Sequence, residues 1–254
     1  MLKPFTQSLR IEVAPQALRL LRVRRWHGGA AELLAEQAMP QAQDGASLAG
    51  ALDALLAAQD MAGQGVCLVL DDALVRLWLV NPPPQAARLA DLEAAAALRF
   101  HALFGEAPAA WEISADWDAA QPFLAAAVPR ALKAQLEQAA LQRKLVVTGM
   151  LPHFVAAWNR HARSLKAGAW FGAVQDKVLA LAAIEDGQLR AVRHVPLAQG
   201  ADHYWLTQMA QREALLLDLT PPALIQLCGE LPPQLAKPAA SDSHIATALL
   251  GAAA

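Results

Sequence analysis

Residues 168–195 decide the fold, and they read GAWFGAVQDKVLALAAIEDGQLRAVRHV. Apolar runs at 169–174, 178–184 and 188–195 are separated by short polar segments, and the second of these contains Asp-Gly at 186–187. Asp-Gly between apolar runs is typical of a two-residue β-hairpin turn, because both turn positions need a positive φ. The stretch therefore predicts three consecutive strands joined by hairpins.

The same order of elements is predicted twice along the chain. A helix at 201–216 and a strand at 223–228 follow the three strands just described. The N-terminal part repeats this order, with strands at 9–14, 18–25 and 32–38, a helix from Asp44 to about Met61, and a strand at 66–70. The repeat is one of pattern and not of sequence identity, and it predicts two βββαβ units.

Four further elements between the two units predict an insertion at about 74–128. They are strands at 74–80, 110–115 and 122–128 and an alanine-rich helix at 86–104. A helix from Pro129 to about Gln142, a strand at 144–148 and a helix at 152–165 then return the chain to the first sheet. The expected lobes span 1–165, including the insertion, and 166–254, where Ser241 or Ser243 caps a last short helix that reaches Leu250.

Composition excludes several classes of protein. The 254 residues are 56% hydrophobic and 17% charged, and this composition favours a packed core over disorder. The net charge of -2 provides no general attraction for nucleic acid or anionic lipid. No apolar stretch reaches the roughly 18 residues of a membrane span, so a cytoplasmic protein is expected, although a membrane anchor beyond residue 254 stays open.

The two cysteines lie in apolar runs. Cys67 and Cys228 are expected to be buried free thiols, as suits a reducing compartment, and a disulfide between them is the alternative.

Duplicated βββαβ units resemble the plan of the actin, sugar kinase and Hsp70 superfamily. Within it, the chain resembles the PilM-like proteins of type IV pilus assembly and the cytoplasmic domain of GspL-like type II secretion proteins. The resemblance covers nearly the whole chain. It implies an α/β, actin-like (ribonuclease H-like) fold of duplicated βββαβ units with a small inserted α+β subdomain.

The position that corresponds to the first phosphate-binding hairpin of active relatives is degenerate. Those relatives carry an Asp and then a Gly there, whereas this chain has Glu12, Ala14 and Pro15. Backbone amides that hold phosphate need a close approach of the chain, which favours Gly, and proline has no N–H to donate. A strand-end carboxylate in solvent is the expected role of Glu12, with cation coordination as the alternative.

The other nucleotide-binding positions are also reduced. No acidic residue precedes Gly172 on its strand, and Asp176 in the following turn would repel phosphate. Gly229 is the single glycine where relatives place two or three beside the adenosine, and only one helix fills the region where relatives insert a lid subdomain. We therefore predict a pseudo-ATPase with no catalytic residue and no cofactor.

Other catalytic or metal-binding patterns are weak. His153 and His161 would lie about 12 Å apart along one helix, which is too far for a shared zinc ion. No serine occupies a Gly-x-Ser-x-Gly elbow, and neither cysteine has a histidine at a recognised spacing. The sequence predicts no metal site.

Two charged clusters are candidates for binding surfaces. An acidic strand face is predicted from Glu112, Ser114, Asp116 and Asp118, and it could receive a basic segment; the alternative is a solvated face over a tryptophan-lined core. The basic cluster comprises Arg10, Arg19, Arg22, Arg24 and Arg25. It could attract lipid or a protein partner, whereas nucleic acid is not expected because interleaved aromatic residues are scarce.

The resemblance implies a non-enzymatic scaffold at the cytoplasmic side of the inner membrane. Its expected partner is the cytoplasmic segment of a membrane protein of a pilus or secretion platform, with the assembly ATPase and a homodimer as further contacts left open. Such a segment would occupy an apolar groove of the inserted region, where Trp111, Trp117 and Phe123 are the candidate contacts. The alternatives are a divergent nucleotide-binding ATPase or kinase and a globular protein unrelated to pili.

Overall fold

Three β-sheets organise the computed structural model, which describes residues 7–24, 31–39, 45–57, 61–237 and 245–251. The strands are β1 Gln7–Val13, β2 Ala17–Arg24, β3 Ala31–Ala38, β4 Gly65–Leu70, β5 Arg76–Val80, β6 Trp111–Ala115, β7 Phe123–Pro129, β8 Val146–Pro152, β9 Ala169–Gln175, β10 Val178–Glu185, β11 Gln188–Pro196, β12 Leu224–Gly229 and β13 Ala246–Leu249. The helices are α1 Gly45–Leu56, α2 Leu89–Phe104, α3 Arg130–Gln142, α4 His153–His161, α5 His203–Leu216 and α6 Pro233–Ala236.

The two five-stranded sheets have the same topology. Their strand orders are β3-β2-β1-β4-β8 and β11-β10-β9-β12-β13. In each sheet an antiparallel meander is extended by two strands that run parallel to its first strand. The predicted duplication is therefore present. The fifth strand of the first sheet, β8, corresponds to the strand predicted to return the chain to this sheet, whereas β13 of the second sheet was not predicted.

The hairpin at the centre of the fold-determining stretch forms as predicted. Asp186 and Gly187 join β10 to β11 with φ angles of 51° and 74°. Because both angles are positive, these residues form the two-residue turn that Asp-Gly favours.

The insertion, which follows β4 and precedes α3 in the sequence, forms a separate small layer. Its antiparallel sheet has the order β5-β7-β6, and α2 packs against β5 and β6. A core of aromatic and small residues fills the space between them, centred on Trp78, Phe100 and Trp111. The inserted subdomain thus contains its own hydrophobic core.

The two large sheets share a hydrophobic core. Buried Ile11 and Leu68 of the first sheet belong to the same cluster as Phe154 of α4 and Phe171 of β9. Helix α4 contacts β4 and β8 on one side and β9 on the other, so it lies between the lobes. In the described part of the chain, no helix has both the length and the apolar character of a membrane span.

The prediction for the C-terminal segment was wrong. Residues 246–249 form strand β13, which pairs in parallel with β12, and not a helix that reaches Leu250. A run as short as Ala-Thr-Ala-Leu has no decisive periodicity, so the unpaired edge of β12 determines its conformation. The capping candidates Ser241 and Ser243 lie outside the described residues, and helix α6 was not predicted.

Other predicted boundaries of helices and strands differ from the observed ones by a few residues. The strand predicted at 144–148 runs from Val146 to Pro152, and the strand predicted at 74–80 begins only at Arg76, after a 3-10 turn at Asp72–Leu74. The helix predicted at 152–165 ends at His161 and continues as a 3-10 turn. The helix α1 ends at Leu56, before the predicted Met61, and its predicted cap Asp44 lies outside the described residues.

Candidate functional site

A cleft of about 870 Å³ lies between the two large sheets. It is bordered by the β1–β2 turn, the end of β4, the β9–β10 turn, and the segments that follow β11 and β12. The duplicated sheets thus bring together the segments that were predicted to be degenerate phosphate loops.

Backbone groups of the β1–β2 turn form hydrogen bonds with other backbone groups of the protein. The N–H of Ala14 donates to the carbonyl oxygen of Ala17 at 2.9 Å, and Pro15 has no N–H. The carbonyl oxygen of Val13 accepts a hydrogen bond from the N–H of Asp71. Glu12 pairs with Arg10 at 3.5 Å and does not line the cleft. Neither Ala14 nor Pro15 can therefore donate a backbone hydrogen bond to a phosphate here.

The β9–β10 connection is a tight two-residue turn. Asp176 and Lys177 both have positive φ, at 44° and 63°, so no longer loop is present to surround a phosphate. Gly172 lies within β9, where an added Cβ would stand 2.6 Å from Cδ2 of Leu227 and 3.0 Å from Cδ1 of Leu179. Gly172 therefore serves the packing of the second sheet.

Gly229 also has a packing role. Its φ is 97°, and an added Cβ would lie 2.0 Å from the carbonyl oxygen of Val174 on β9. The next residue, Glu230, donates its N–H to the same oxygen at 2.9 Å. The glycine allows the end of β12 to approach β9 closely, and this requirement is independent of any ligand.

The charge of the cleft is predominantly negative. Its lining contains Asp71, Asp176 and Glu230 but a single lysine, Lys177. Asp71 is 6% exposed and accepts a hydrogen bond from the N–H of Ala73 at 2.7 Å. Burial raises the pKa of Asp71 above its ordinary value, and the nearby charges of Asp176 and Asp72 act in the same direction. Such a cleft is poorly suited to a polyphosphate.

An ion pair joins the two lobes at this cleft. Nη1 of Arg19 on β2 lies 3.0 Å from Oε1 of Glu230, and Nε of the same guanidinium lies 2.9 Å from Oε1 of Glu36. The Glu36 hydrogen bond is the largest factor that raises the pKa of Arg19. Among the residues described, no cluster of acidic, histidine or cysteine side chains is arranged to hold a metal ion.

The predicted basic cluster is neutralised on the sheet surface. Arg19 pairs with Glu36, and Arg22 pairs with Glu32 at 3.2 Å across neighbouring strands. Arg25 lies outside the described residues, as does the side chain of Arg24. Within the described strands the arginines therefore form a ladder of ion pairs, which weakens the prediction of a basic binding surface.

A second depression, called here the groove, has a volume of about 510 Å³ and lies between the inserted subdomain and the first sheet. It is bounded by the outer face of the three-stranded sheet, by α3 and α4, and by residues Val147 to Pro152 of β8. The apolar side chains that line it come from four elements: Ala115 of β6, Leu124, Ala126 and Val128 of β7, Val147, Met150 and Leu151 of β8, and Val155 and Trp158 of α4.

Strand β7 is apolar on both faces. Phe123, Ala125 and Ala127 point into the core of the inserted subdomain and are buried, whereas the intervening Leu124, Ala126 and Val128 line the groove. Sequence analysis did not identify the second set. The unbroken apolar run at 123–128 was the available signal, because a strand with one solvated face normally alternates.

The predicted aromatic contacts have a different location. Trp111 and Phe123 are 8% and 3% exposed and lie in the core of the inserted subdomain, and Trp117 packs against Phe123 with ring centroids 5.7 Å apart. They do not line the groove. A direct role for these three residues in partner binding stays a prediction, and the structure assigns Trp111 and Phe123 a packing role.

The rim of the groove carries the predicted acidic face. Glu112, Ser114 and Asp116 line the groove, whereas Asp118 does not and instead accepts a hydrogen bond from the N–H of Ala120. Glu112 is neutralised by Arg130 and by Lys133, whose Nζ lies 3.2 Å from its Oε1. The three polar residues therefore form a rim of the groove, next to its apolar floor.

Strand β8 has a free edge toward the groove. It is the last strand of the first sheet and pairs with β4 alone among the described strands. Thr148 is an extra residue in this pairing, since Val66 opposes Val147 and Cys67 opposes Gly149. Bulges of this kind are common on edge strands. The outer N–H and C=O groups of β8 are thus placed where an added strand could bind.

The remaining candidates are structural. Cys67 and Cys228 are free thiols, so the disulfide alternative is wrong. Burial raises the pKa of the Cys228 thiol to about 11. His153 and His161 are the first and last residues of α4.

Comparison with known proteins identifies the fold. The sequence matches no protein-family model, and no curated protein matches it significantly in sequence. Several solved structures are similar in fold. The cytoplasmic domain of EpsL, an inner-membrane component of the type II secretion system of Vibrio cholerae, has a TM-score of 0.61 at 12% identity, with 96% of this chain and 90% of that chain covered.

Two other solved structures have the same architecture. A chain of the PilM-PilN type IV pilus biogenesis complex has a TM-score of 0.59 at 16% identity, with 89% of this chain and 82% of that chain covered. A protein of unknown function with an actin-like ATPase fold, from Bacteroides thetaiotaomicron, has a TM-score of 0.59 at 10% identity, with 90% and 84% covered. The chain therefore has the actin-like fold, as predicted.

Proposed function

We propose that this chain is a non-enzymatic scaffold that binds an extended cytoplasmic segment of an inner-membrane protein in the groove beside β8. The observation that carries the proposal is the combination of an apolar floor with a free strand edge. The proposed setting is the cytoplasmic face of a type IV pilus or type II secretion-like platform, since EpsL is an inner-membrane component and PilM-PilN is a pilus biogenesis complex.

The apolar floor favours a peptide ligand. Leu124, Ala126 and Val128 are partly exposed on the outer face of a sheet whose other face already packs on a core. Apolar surface of this kind that is rimmed by polar residues marks binding sites. The alternate side chains of a bound strand would cover these residues and Trp158 opposite them.

The free edge of β8 supplies the main-chain contacts. An extended peptide can add to an exposed strand through backbone hydrogen bonds, while pockets for alternate side chains determine which sequences bind. Asp116 on the rim has no ion-pair partner among the described residues. A partner segment with apolar residues at alternate positions and a basic residue beside Asp116 would fit this groove.

The loss of enzymatic activity is proposed from the cleft. Its first turn offers no amide donor at Ala14 or Pro15, its second turn is too short to surround a phosphate, and three carboxylates line its wall. A divergent nucleotide-binding enzyme would need phosphate contacts that these segments do not offer. A role for the assembly ATPase as a further partner, and a homodimer, stay predictions.

Peptide binding tests the proposal. Short synthetic peptides that cover the cytoplasmic segments of single-span membrane proteins encoded beside this chain would be measured by fluorescence anisotropy. We expect at least one to bind the wild type, and we expect Ala126→Glu to weaken it by at least about tenfold, because the peptide would desolvate the new carboxylate.

Ala94→Glu is the matched control. Ala94 is exposed on α2, away from the groove, so the same substitution there should leave the affinity unchanged. Equal melting temperatures of the two variants would establish that both are folded. The proposal fails if no peptide binds the wild type, or if Ala126→Glu binds as tightly as Ala94→Glu.

A further inference from the structure

Helix α4, which forms one wall of the groove, is capped by a residue from a distant part of the chain. Pro152 precedes the helix and supplies no side-chain cap. Instead, the carboxylate of Asp72 accepts a hydrogen bond from the N–H of Phe154, with its two oxygens 3.0 and 3.1 Å from the nitrogen. A carboxylate at a helix N-terminus satisfies a free donor and interacts favourably with the helix dipole.

Two histidines face the same carboxylate. Nε2 of His194, on β11 of the second lobe, lies 3.5 Å from Oδ2 of Asp72, and Nδ1 of His153 lies 3.9 Å from it. The Asp72 side chain is 9% exposed, whereas those of His153 and His194 are 17% and 30% exposed. The carboxylate of Asp72 thus contacts the start of α4 in the groove wall and His194 of the second lobe. Asp72 itself lies just before β5, where the chain enters the inserted subdomain.

A second contact ties the groove wall to the same lobe. Trp158 of α4 lines the groove, and its ring packs edge to face on Phe171 of β9 with centroids 5.8 Å apart. Phe154 contacts both rings, at 6.1 Å from Trp158 and 5.9 Å from Phe171. A displacement of the second lobe would therefore change both the cap and the aromatic support of α4.

We propose that the second lobe regulates the peptide groove through Asp72, with His194 holding the carboxylate in the position from which it caps α4. This inference rests on the proposed function, because it concerns the affinity of that groove. Asp72 and His194 are positioning residues, since neither lines the groove. A protonated His194 would hold the carboxylate more strongly than a neutral one.

The contacts of Asp72 locate the coupling. Among the described residues, the carboxylate of Asp72 is faced by His153 and His194, and the neighbouring Asp71 also experiences the charge of Asp176. His194 is the one of these two histidines that belongs to the second lobe, so the coupling between the lobe and the cap of α4 passes through it.

The test combines two variants with two readouts. His194→Gln removes the imidazole, and we expect it to weaken the tightest peptide of the panel by about two- to fivefold, the range of a partly exposed ion pair. It should also accelerate amide hydrogen exchange at the start of α4. His101→Gln, at an exposed histidine on α2, is the matched control and should have none of these effects.

Asp72→Asn separates the coupling from a general loss of stability. The asparagine amide oxygen lies at the same distance from the backbone and can still accept from the N–H of Phe154, but it carries no charge, so His194→Gln should have little further effect in this background. The inference is overturned if peptide affinity and exchange in α4 are unchanged by His194→Gln, or if the full effect persists in Asp72→Asn. Because exchange in α4 needs no peptide, it tests the coupling even if the panel contains no ligand.

Discussion

Gly172 and Gly229 are the residues where the resemblance to nucleotide-binding proteins is most misleading. The resemblance implies that both positions correspond to glycines of nucleotide-binding relatives, yet each is required here by neighbouring side chains or backbone. The structure gives a reason for both glycines that involves no ligand. Neither glycine is therefore evidence for a nucleotide site.

The packing role of Gly229 can be measured by substitution. Gly229→Ala should destabilise the protein by the cost of a positive φ, about 1–2 kcal/mol, plus a further ~1–3 kcal/mol for the clash with the carbonyl oxygen of Val174. Gly200→Ala is the control, because Gly200 has a φ of 76° and no neighbour within reach of a Cβ. Urea unfolding that gives equal losses for the two variants would contradict the packing role.

Replacement of Asp71 should stabilise the protein by an amount that depends on pH. Burial raises the pKa of Asp71, so this carboxyl favours folding below its unfolded pKa and loses that contribution as pH rises through the folded value. Asp71→Asn retains an acceptor for the N–H of Ala73 and should stabilise the protein by ~1 kcal/mol at pH 7. Urea unfolding should show this gain shrinking toward about pH 4; a gain that is equal at both pH values, or a loss at pH 7, would argue against it.

Much of the element order follows from the sequence, because the hairpin turns and strands carry strong local signals. The Asp186-Gly187 turn and the three strands around it are specified locally. Strand β13 is not, since the residues that determine it are its partners on β12. The lining of the groove was not predicted, although the apolar run at 123–128 was a signal for it, because β7 of the insertion meets β8 and α4 only in the tertiary structure.

Helix α5 offers a test of element stability. Its N-cap Asp202 accepts a hydrogen bond from the N–H of Trp205 at 2.9 Å. Asp202→Ala should therefore destabilise the protein by about 0.5–2 kcal/mol in chemical unfolding. Arg212→Ala, at an exposed position of the same helix, should remain within about 0.5 kcal/mol of the wild type; a comparable loss there would mean that the cap is not the cause.

At the scale of the whole molecule, the duplicated fold provides two depressions with opposite character. The cleft between the lobes is lined by carboxylates and crossed by the Arg19–Glu230 ion pair. The groove is lined by apolar side chains and a free strand edge. The cleft lies between the two large sheets, whereas the groove that we propose as the peptide site lies beside the insertion.

The carboxylate lining of the cleft leads to a prediction for the melting temperature in the presence of nucleotide. A ligand that binds only the native state raises its stability, by about 2.7 kcal/mol at a hundredfold excess over Kd. We expect no rise in melting temperature with millimolar ATP and magnesium, with a nucleotide-binding actin-like protein as the positive control. A magnesium-dependent rise would instead favour the divergent enzyme.

Hydrogen exchange with and without bound peptide tests the central claim most directly, because it locates the occupied strand edge. We predict that a bound peptide slows amide exchange at 146–151 in β8, while exchange at two edge strands remote from the groove, β3 and β11, stays unchanged. Slowed exchange at β3 or β11 without any change in β8 would contradict the proposal that the groove captures the partner.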